Sequence, residues 1–379
     1  MVHGSTVGFL LAAGEGRRLR PYTLACPKAL VPFCGVPLLE LAFSCVAPVT
    51  DRMVVNAWWH GERVAGAALS LGRASGIPVR VSREPQLLDT GGGLRRGLDD
   101  RDDWERVVAH NADVILDYPL DRLLDVHSRC GAAATLLMVP GCGARTVDLD
   151  SDGRVRDFRR PCGQGAFTFA GVQVLNREVL ELLPGRPVCS IIEAYETALA
   201  RGWLVQGLSV GSAYWQDVGT PQRYIEAHRT AAAATLSSHP RLRRAVKEQR
   251  KRRQALRESG VQCSGAVGVG EGVRAPAGTR LHNTVLRDHT CLEEVRCVVH
   301  SVLGGRIPPL RTPDDRRSPD PRVYATLELD RHKTTCRRLR RQGSGRVYRR
   351  LRQGERSFVW CAYDNQRSEN GVFPAAAQV

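Results

Sequence analysis

The sequence predicts an α/β fold, in which a mostly parallel sheet is covered by helices on both faces. Between residues 7 and 139, short apolar runs alternate with helical patterns, an order typical of parallel strands joined by crossover helices. The first apolar run, residues 7–12, leads directly into a glycine-rich stretch. Because ligands of such sheets bind beyond the carboxyl ends of the strands, we expect a site at this stretch.

The individual elements follow from apolar periodicity and from the turn residues between the periodic runs. Residues 148–153, DLDSDG, begin like a calcium-binding loop, but the twelfth position is Arg159 rather than Glu. We therefore predict a hairpin turn there. Strands are predicted over residues 7–12, 53–57, 79–81, 106–110 and 135–139, and helices over residues 37–46, 61–71 and 120–129.

The second part of the chain has a different character. Residues 222–234 look helical, residues 241–257 form a charged helix or linker, and HNTVL at 282–286 recurs 18 residues later as HSVLGG. Such a period corresponds to one coil of a parallel β-helix, and a few irregular strands are the alternative. The predicted domains are an α/β domain over 1–228, a basic helix or linker over 229–260, a left-handed β-helix-like segment over 261–306, a linker over 307–322 and a further piece over 323–379.

Charge is distributed unevenly along the chain. The 55 Lys and Arg residues exceed the 39 Asp and Glu residues by 16, but residues 1–224 contain 24 of each class, so the whole excess lies in the remainder. The composition excludes a disordered or collagen-like chain, and no apolar run approaches the roughly 18 residues of a membrane span. We expect a cytoplasmic protein whose 12 scattered cysteines are reduced thiols.

The glycine-rich stretch carries the features of a phosphate-binding loop. Gly14 and Gly16 allow close approach of the backbone to a phosphate, and successive N–H groups in such a turn bind anions. Arg18, Arg20 and Lys28 supply positive charge nearby. Lys28 is the single lysine among the 24 basic residues of residues 1–224, which indicates that a compact ammonium is needed at this position.

Several segments together resemble one enzyme family, the sugar-1-phosphate nucleotidylyltransferases (NTP transferases). Within the family, the DTGGG form is most similar to N-acetylmuramate 1-phosphate uridylyltransferases, and mannose- and heptose-1-phosphate guanylyltransferases are near relatives. The chain departs from the family pattern at Ala112, where Gly is usual, and at Arg160, where a Glu-Lys-Pro segment is frequent. The matching segments are LAAGEGRRLRP (11–21), PKALVPFCGVPLLE (27–40), DTGGGL (89–94), NAD (111–113), FTFAGVQVL (167–175) and WQDVGTPQRY (215–224).

The resemblance implies a Rossmann-like nucleotide-diphospho-sugar transferase fold and a defined reaction. An oxygen of a sugar 1-phosphate attacks the α-phosphorus of a nucleoside triphosphate, and pyrophosphate leaves. Two polyanions must meet, so placed cations and a divalent metal held by carboxylates are required. The expected substrates are UTP with N-acetylmuramate or N-acetylglucosamine 1-phosphate in cell-wall sugar salvage, and the alternative is a mannose- or heptose-1-phosphate guanylyltransferase.

The resemblance also assigns residues to roles, with Mg²⁺ as the expected cofactor. No nucleophilic triad is needed, so Ser190 and His110 are interpreted as structural. The implied catalytic residues are Arg18, Lys28 and Asp113, and the implied metal ligands are Asp113 and Asp217. The implied nucleotide-binding residues are Ala12, Ala13, Gly14, Gly16, Glu84, Thr90, Gly91 and Gly92, and the implied sugar-phosphate-binding residues are Arg160, Thr168, Gly171 and Glu193.

The C-terminal residues 343–377 resemble the first strands of an aminoglycoside-phosphotransferase-like sugar kinase. No catalytic loop of such a kinase follows before Val379, so residues 323–379 are interpreted as the beginning of a fused kinase domain. The expected partners are small-molecule substrates, and a homo-oligomer could form through the β-helix-like segment. A nucleic-acid-binding function through the Arg-rich residues 241–257 and 337–352 is the alternative of another class, but charge alone supports it. A regulatory subunit with an inactive transferase fold is a third class, disfavoured because Lys28 and both carboxylates are present.

Overall fold

The computed structural model describes most of the chain up to residue 307 and three short segments after it. Arg160 and most of the predicted kinase-like piece lie outside the described residues. These are residues 5–20, 22–24, 26–98, 104–141, 146–158, 167–293, 297–304, 306–307, 335–338, 347–353 and 356–362.

The described residues form strands and helices in close alternation up to residue 258. The strands are β1 (Thr6–Leu11), β2 (Pro32–Phe33), β3 (Val36–Pro37), β4 (Arg52–Ala57), β5 (Val79–Arg83), β6 (Arg106–Asn111), β7 (Val114–Leu116), β8 (Ala134–Pro140), β9 (Thr146–Leu149), β10 (Val155–Asp157), β11 (Phe167–Asn176), β12 (Val205–Ser209), β13 (Trp215–Asp217), β14 (Gln262–Val269), β15 (Arg280–Leu286), β16 (Cys291–Leu292), β17 (Cys297–Leu303), β18 (Arg306–Ile307), β19 (Thr335–Arg338), β20 (Val347–Gln353) and β21 (Arg356–Ala362). The helices are α1 (Leu38–Val46), α2 (Gly61–Ser75), α3 (Asp89–Gly97), α4 (Leu120–Cys130), α5 (Ile191–Ala200), α6 (Pro221–Ala233) and α7 (Pro240–Glu258).

A nine-stranded sheet forms the centre of the N-terminal part, in the order β10-β9-β11-β6-β1-β4-β5, with β8 paired to β11 and β12 paired to β8. The pairs β1–β4, β1–β6, β4–β5 and β8–β12 are parallel, whereas β11 is antiparallel to both β6 and β8. The predicted α/β fold is therefore confirmed, and the β6-β1-β4-β5 part of the sheet is parallel as expected. The sheet as a whole is mixed rather than mostly parallel, because β9 is also antiparallel to β10 and β11.

The sheet is buried on both faces, and the register of its strands brings three strand ends together at one edge. Along β1, Phe9 packs into one apolar cluster and Leu10 into the other, because successive side chains of a strand point to opposite faces. The register pairs Leu11 with Asn56 of β4 and with Asn111 of β6. The carboxyl ends of three neighbouring strands thus meet at one edge, beside the glycine-rich loop.

Most predicted elements are present, with ends shifted by a few residues, and the DLDSDG segment is the predicted hairpin turn. The Gly153 N–H donates to the Asp150 carbonyl over 3.0 Å, between the antiparallel strands β9 and β10. Helix α3 was not predicted, because it begins in DTGGG and three consecutive glycines disfavour a helix. Its first two glycines, Gly91 and Gly92, pack tightly against residues 187–190.

The chain divides into two compact units, residues 1–248 and 249–379. The first unit extends beyond the predicted boundary at residue 228. The carboxylate of Asp117 accepts backbone N–H groups from Ser237, Ser238 and His239 at 2.6–3.0 Å. This contact ties the start of α7 to the α/β domain, so the segment predicted as a basic helix or linker contains a helix whose start is docked on that domain.

In the second unit, β14, β15 and β17 lie side by side and parallel. Gln262 pairs with Arg280, and Arg280 pairs with Cys297, so stacked strands recur at nearly the predicted period. A left-handed β-helix stays a prediction, as does the kinase-like piece, since only the antiparallel strands β19–β21 are described there. Among the described helices, none combines the length and apolarity of a membrane span.

Candidate active site

The glycine-rich loop follows β1, and its two glycines have different reasons to be glycine. Gly16 has a φ of +67°, and a Cβ there would lie 2.9 Å from Thr23 Cγ2 and 3.0 Å from the Lys28 Cβ. The Thr23 hydroxyl donates to the Gly16 carbonyl over 2.8 Å, which holds this turn. At Gly14 a Cβ would meet nothing within 4 Å, so that position leaves an open approach to the backbone.

The three arginines after the loop differ in their partners. Arg17 and Arg20 both pair with the carboxylate of Glu15, which balances one of their two positive charges within the loop. The exposed Arg18 side chain has no hydrogen bond or ion pair with any residue in the described part of the chain. Its Nη2 lies 3.3 Å from the position of a Cβ built on Gly219. Arg18 is therefore a cation available to a ligand beside the 217–219 turn.

Lys28, the single lysine of residues 1–224, forms an ion pair with one of the predicted carboxylates. Lys28 is 9% exposed, and its Nζ pairs with Asp113 Oδ2. The Val218 N–H donates to the Asp113 carbonyl over 3.0 Å, and β13 pairs with β7 so that Asp217 is opposite Val114. Lys28, Asp113 and Asp217 thus converge from three distant segments.

Asp217 has one oxygen bound and one oxygen unused. Its Oδ2 accepts a hydrogen bond from Arg223 Nη1 over 2.8 Å, whereas its Oδ1 is buried without a hydrogen-bond partner. Within the described residues, no group of three or more His, Cys, Asp or Glu side chains could hold a metal alone. Mg²⁺, however, typically uses one or two carboxylates together with phosphates and water. Asp113 and Asp217, with this unpaired oxygen, fit that requirement.

Asn56, which the sequence did not single out, organises the loop after β1. Its Oδ1 accepts the Ala12 and Ala13 N–H groups at 2.6 and 3.3 Å, and its Nδ2 donates to Glu84 Oε1 over 2.7 Å. The other oxygen of Glu84 accepts the Leu88 N–H over 3.0 Å. Burial raises the pKa of Glu84, and the hydrogen bonds from Leu88 and Asn56 partly oppose this. Glu84 thus lies within the protein's own network rather than on a cavity wall.

The glycines of DTGGG are explained by close packing rather than by an open surface. The Gly91 and Gly92 N–H groups both donate to the Cys189 carbonyl, at 2.9 and 3.0 Å. A Cβ on Gly92 would lie 2.2 Å from the Pro187 carbonyl oxygen, and one on Gly91 would lie 2.9 Å from the Ser190 carbonyl carbon. The structure therefore places both predicted nucleotide-binding glycines against the 187–190 segment, with their amides already bonded.

Two cavities adjoin at the carboxyl edge of the sheet and share the residues Leu11, Asp89, Thr90 and Asn111. The smaller, of about 440 Å³, is also lined by Ala12, Ala13, Gly14, Lys28, Ala29, Asn56, Leu87, Ala112, Asp113 and Val188. The larger, of about 620 Å³, is also lined by Val147, Phe158, Phe169, Gln173, Arg186, Ser190, Ile191, Ile192 and Glu193.

Of the residues expected to bind the sugar phosphate, Glu193 lines a cavity, whereas Thr168 and Gly171 do not. Glu193 lines the larger cavity; its Oε1 accepts the Ser190 N–H over 2.9 Å as part of the cap of α5, and its other oxygen pairs with Arg186. The Thr168 hydroxyl donates to the Gly141 carbonyl over 2.8 Å. Gly171 has a φ of +80° where the register of β11 against β8 is interrupted. Thr168 and Gly171 line neither cavity, and Arg160 lies outside the described residues.

Asp89, Asn111 and Gln173 are among the cavity-lining residues that the sequence analysis missed. Asp89 has a φ of +61°, its Oδ1 accepts the N–H of Thr90 over 2.6 Å, and it borders both cavities. Asn111 also borders both, and Gln173 borders the larger. Asp89 and Asn111 are the first residues of the DTGGG and NAD motifs. Their position within these motifs could have identified them as site residues from the sequence.

The interpretation of Ser190 and His110 as structural agrees with their surroundings. The Ser190 side chain caps α5 by accepting the Ile192 N–H, and burial lowers the pKa of His110 to about 4. Ala112 is not among the residues with positive φ, so alanine is tolerated where the family pattern has glycine.

Comparison with known proteins identifies relatives over most of the chain. A model of the family described as nucleotidyl transferase matches residues 7–234. A mannose-1-phosphate guanylyltransferase of Mycobacterium tuberculosis is 31% identical over 300 residues, which are 76% of this chain and 82% of that protein. Mannose-1-phosphate guanylyltransferase 1 of Arabidopsis thaliana is 27% identical over 311 residues, 78% of this chain and 85% of that protein.

A solved structure shares the fold. It is provisionally named as a glucose-1-phosphate thymidylyltransferase from Bacillus anthracis, with a TM-score of 0.53 and 16% identity over 62% of this chain and 98% of that one. The sequence relatives do not support the expected closest resemblance to N-acetylmuramate 1-phosphate uridylyltransferases, nor the cell-wall salvage inferred from it. They also give no support for the kinase-like piece.

Proposed function

The chain belongs to the nucleotidyl transferase family, and we propose that it transfers a guanylyl group from GTP to mannose 1-phosphate. An oxygen of the sugar phosphate attacks the α-phosphorus of GTP, the bond from that phosphorus to the bridging oxygen breaks, and pyrophosphate leaves. The choice of GTP and mannose 1-phosphate is supported by the names of the relatives. It replaces the expectation of UTP with an N-acetylated amino-sugar phosphate.

The observation that carries the proposal is the pair of adjoining cavities. The smaller holds the glycine loop, Lys28 and Asp113, which suit a nucleoside triphosphate. The larger combines apolar rings with Gln173 and Glu193, which suit the faces and hydroxyls of a sugar. Because the cavities share Leu11 and Asn111, two bound substrates would lie side by side, as an in-line displacement requires.

Each charged residue has a role in bringing two polyanions together. The Ala12 and Ala13 N–H groups are bonded to Asn56. The loop N–H groups from Gly14 onward and the unpaired guanidinium of Arg18 would therefore bind the phosphates that leave as pyrophosphate. The ammonium of Lys28, nearly excluded from water, would move from Asp113 to the α-phosphate and stabilise charge that develops there. Asp113 and Asp217 would hold Mg²⁺, which supplies further positive charge at the reacting phosphate.

The position of Asp89 supports a guanine base. It borders both cavities, and among the described residues only the Thr90 N–H is bonded to its carboxylate, at Oδ1. A carboxylate accepts hydrogen bonds but donates none. The Watson–Crick edge of guanine presents two adjacent N–H donors, whereas that of uracil presents one between two carbonyls that a carboxylate would repel. Asp89 is therefore a candidate contact for guanine, and the substrate panel decides between GTP and UTP, because the DTGGG motif that contains Asp89 also resembles that of uridylyltransferases.

Pyrophosphate release from a panel of substrates tests the proposal. GTP, UTP, ATP and CTP are each combined with mannose, glucose, N-acetylglucosamine and N-acetylmuramate 1-phosphates in the presence of Mg²⁺. We expect the highest kcat/KM for GTP with mannose 1-phosphate. A preference for UTP with either N-acetylated sugar phosphate would overturn the assignment.

A pair of arginine variants tests the placement of the chemistry. Arg18→Ala should lower kcat about 100-fold, the effect of removing one donor that stabilises the transition state. Arg73→Ala is the matched control. Like Arg18, Arg73 is exposed and lines neither cavity, but it lies in the last turn of α2, where it donates to Ser70, rather than beside the 217–219 turn. Its kcat should be unchanged. Equal effects of the two substitutions would contradict a role of Arg18 at the phosphates.

A further inference from the structure

Gln173 is a buried polar side chain with an unmet hydrogen-bonding capacity. It is 2% exposed and lies in β11, paired with Ala109 of β6 and Leu136 of β8. Its Oε1 is buried and has no hydrogen-bond partner among the described residues. The same side chain lines the larger cavity. One polar atom is thus withheld from water and from the protein at a cavity wall.

The neighbours of Gln173 make this arrangement costly without a ligand. Phe169 and Leu175 are separated from it by even steps along β11, and both belong to the same apolar cluster, so all three lie on one face of the sheet. A buried polar group without a partner destabilises the folded state. Exchanging the amide oxygen and nitrogen does not remove the problem, because a donor would then be unpaired at the same place.

We infer that Gln173 hydrogen-bonds a hydroxyl of the acceptor sugar and thereby selects among sugar 1-phosphates. This inference rests on the proposed function, in which the larger cavity receives the sugar. Gln173 does not line the smaller cavity, where the glycine loop and Lys28 lie, so it reads the acceptor and not the nucleotide. An uncharged amide can both donate to and accept from a hydroxyl, whereas a phosphate group calls for cations such as Arg18.

The neighbouring backbone supports a role in positioning this side chain. The pairing of β11 with β8 is interrupted between Phe169 and Gln173, and Gly171 lies in this interruption with a φ of +80°. Bulges of this kind occur beside binding sites, where they alter the direction of a strand. Gly171, expected to touch the sugar, thus acts on the site by shaping the strand that presents Gln173.

The test replaces Gln173 by an apolar residue of similar size. For Gln173→Leu we expect the KM for mannose 1-phosphate to rise about tenfold and the KM for GTP to stay within twofold. The urea midpoint should be equal or higher, since the unpaired polar atom is removed. Gln254→Leu is the control, because Gln254 is an exposed glutamine of α7; it should leave both KM values unchanged. A lower urea midpoint with both KM values altered equally would show a structural role and overturn the inference.

Deoxy analogues identify the hydroxyl. With the wild-type protein, mannose 1-phosphates that lack the 2-, 3-, 4- or 6-hydroxyl should each bind less well, and one of these penalties should vanish in Gln173→Leu. If all four penalties persist unchanged, Gln173 contacts no hydroxyl and the inference is wrong. If the wild type prefers another substrate pair, the proposed function fails, and the same comparison with the preferred sugar phosphate still decides the role of Gln173.

Discussion

Replacing Asn56 by aspartate should destabilise the loop after β1, and a second substitution should restore it. Asn56→Asp keeps acceptors for the Ala12 and Ala13 N–H groups. It also replaces the Nδ2 donor, 2.7 Å from Glu84 Oε1, by a second carboxylate oxygen. Two buried carboxylates at this distance cannot both be ionised. We expect a cost of about 3 kcal/mol at pH 7, from a lost hydrogen bond to a charged group and the protonation that repulsion forces.

Glu84→Gln creates the opposite mismatch. An amide at this position has one acceptor for two neighbouring donors, Asn56 Nδ2 and the Leu88 N–H, which now bond to the two oxygens of Glu84. One donor then faces another, at a cost of about 1–3 kcal/mol. In the double variant the carboxylate and the amide exchange places, and every hydrogen bond of the network again has a donor and an acceptor.

Urea denaturation of the wild type, both single variants and the double variant measures this exchange. The double-mutant cycle should give a favourable coupling of about 2 kcal/mol or more. The single Asn56→Asp variant should also gain stability relative to wild type between pH 7 and pH 5, because one added proton supplies the missing donor. If the double variant loses the sum of the two single losses to within about 0.5 kcal/mol, the network does not stabilise the loop in the way argued.

Three further predictions concern the core, the metal and pH. Gly92→Ala should destabilise the protein by about 1–3 kcal/mol, because its Cβ would lie 2.2 Å from the Pro187 carbonyl oxygen. The control Gly185→Ala, whose Cβ would meet nothing within 4 Å, should leave stability unchanged. Equal denaturation midpoints for the two variants would contradict this. Asp217→Asn should lower kcat about 100-fold, roughly 2.7 kcal/mol, and raise the Mg²⁺ concentration for half-maximal activity; an unchanged Mg²⁺ titration would argue against Asp217 as a ligand. Burial lowers the pKa of His110 to about 4, so its stabilisation is present above pH 6.5 and is lost as the pH falls towards 4. About 2–3 kcal/mol is lost by pH 4.5. His110→Leu should show a shallower fall of unfolding free energy from pH 7 to 4.5, and a parallel fall would refute this.

The sequence alone identified the reaction class and the charged centre. Lys28, Asp113 and Asp217 belong to motifs in which residue type and spacing are both restricted, and the structure brings these three together. The α/β fold was equally readable, because burial on two faces leaves a periodic apolar pattern along each strand. The sequence did not determine the substrate pair: the DTGGG motif suggested UTP, whereas the relatives are named mannose-1-phosphate guanylyltransferases.

Only the tertiary structure showed the contacts of the motif glycines, of the amides of Asn56 and Gln173, and of the buried carboxylate of Glu84. Asn56 lies 44 residues from Ala12 and 28 from Glu84, and Gly92 packs against Pro187. No local pattern encodes such contacts, because a hydrogen bond between distant residues depends on how strands and loops are juxtaposed. The unpaired oxygen of Gln173 is also a property of its surroundings, since in the sequence it is one glutamine within an apolar strand. Regular, repeated interactions can therefore be read from the chain, whereas single contacts between distant segments require the folded molecule.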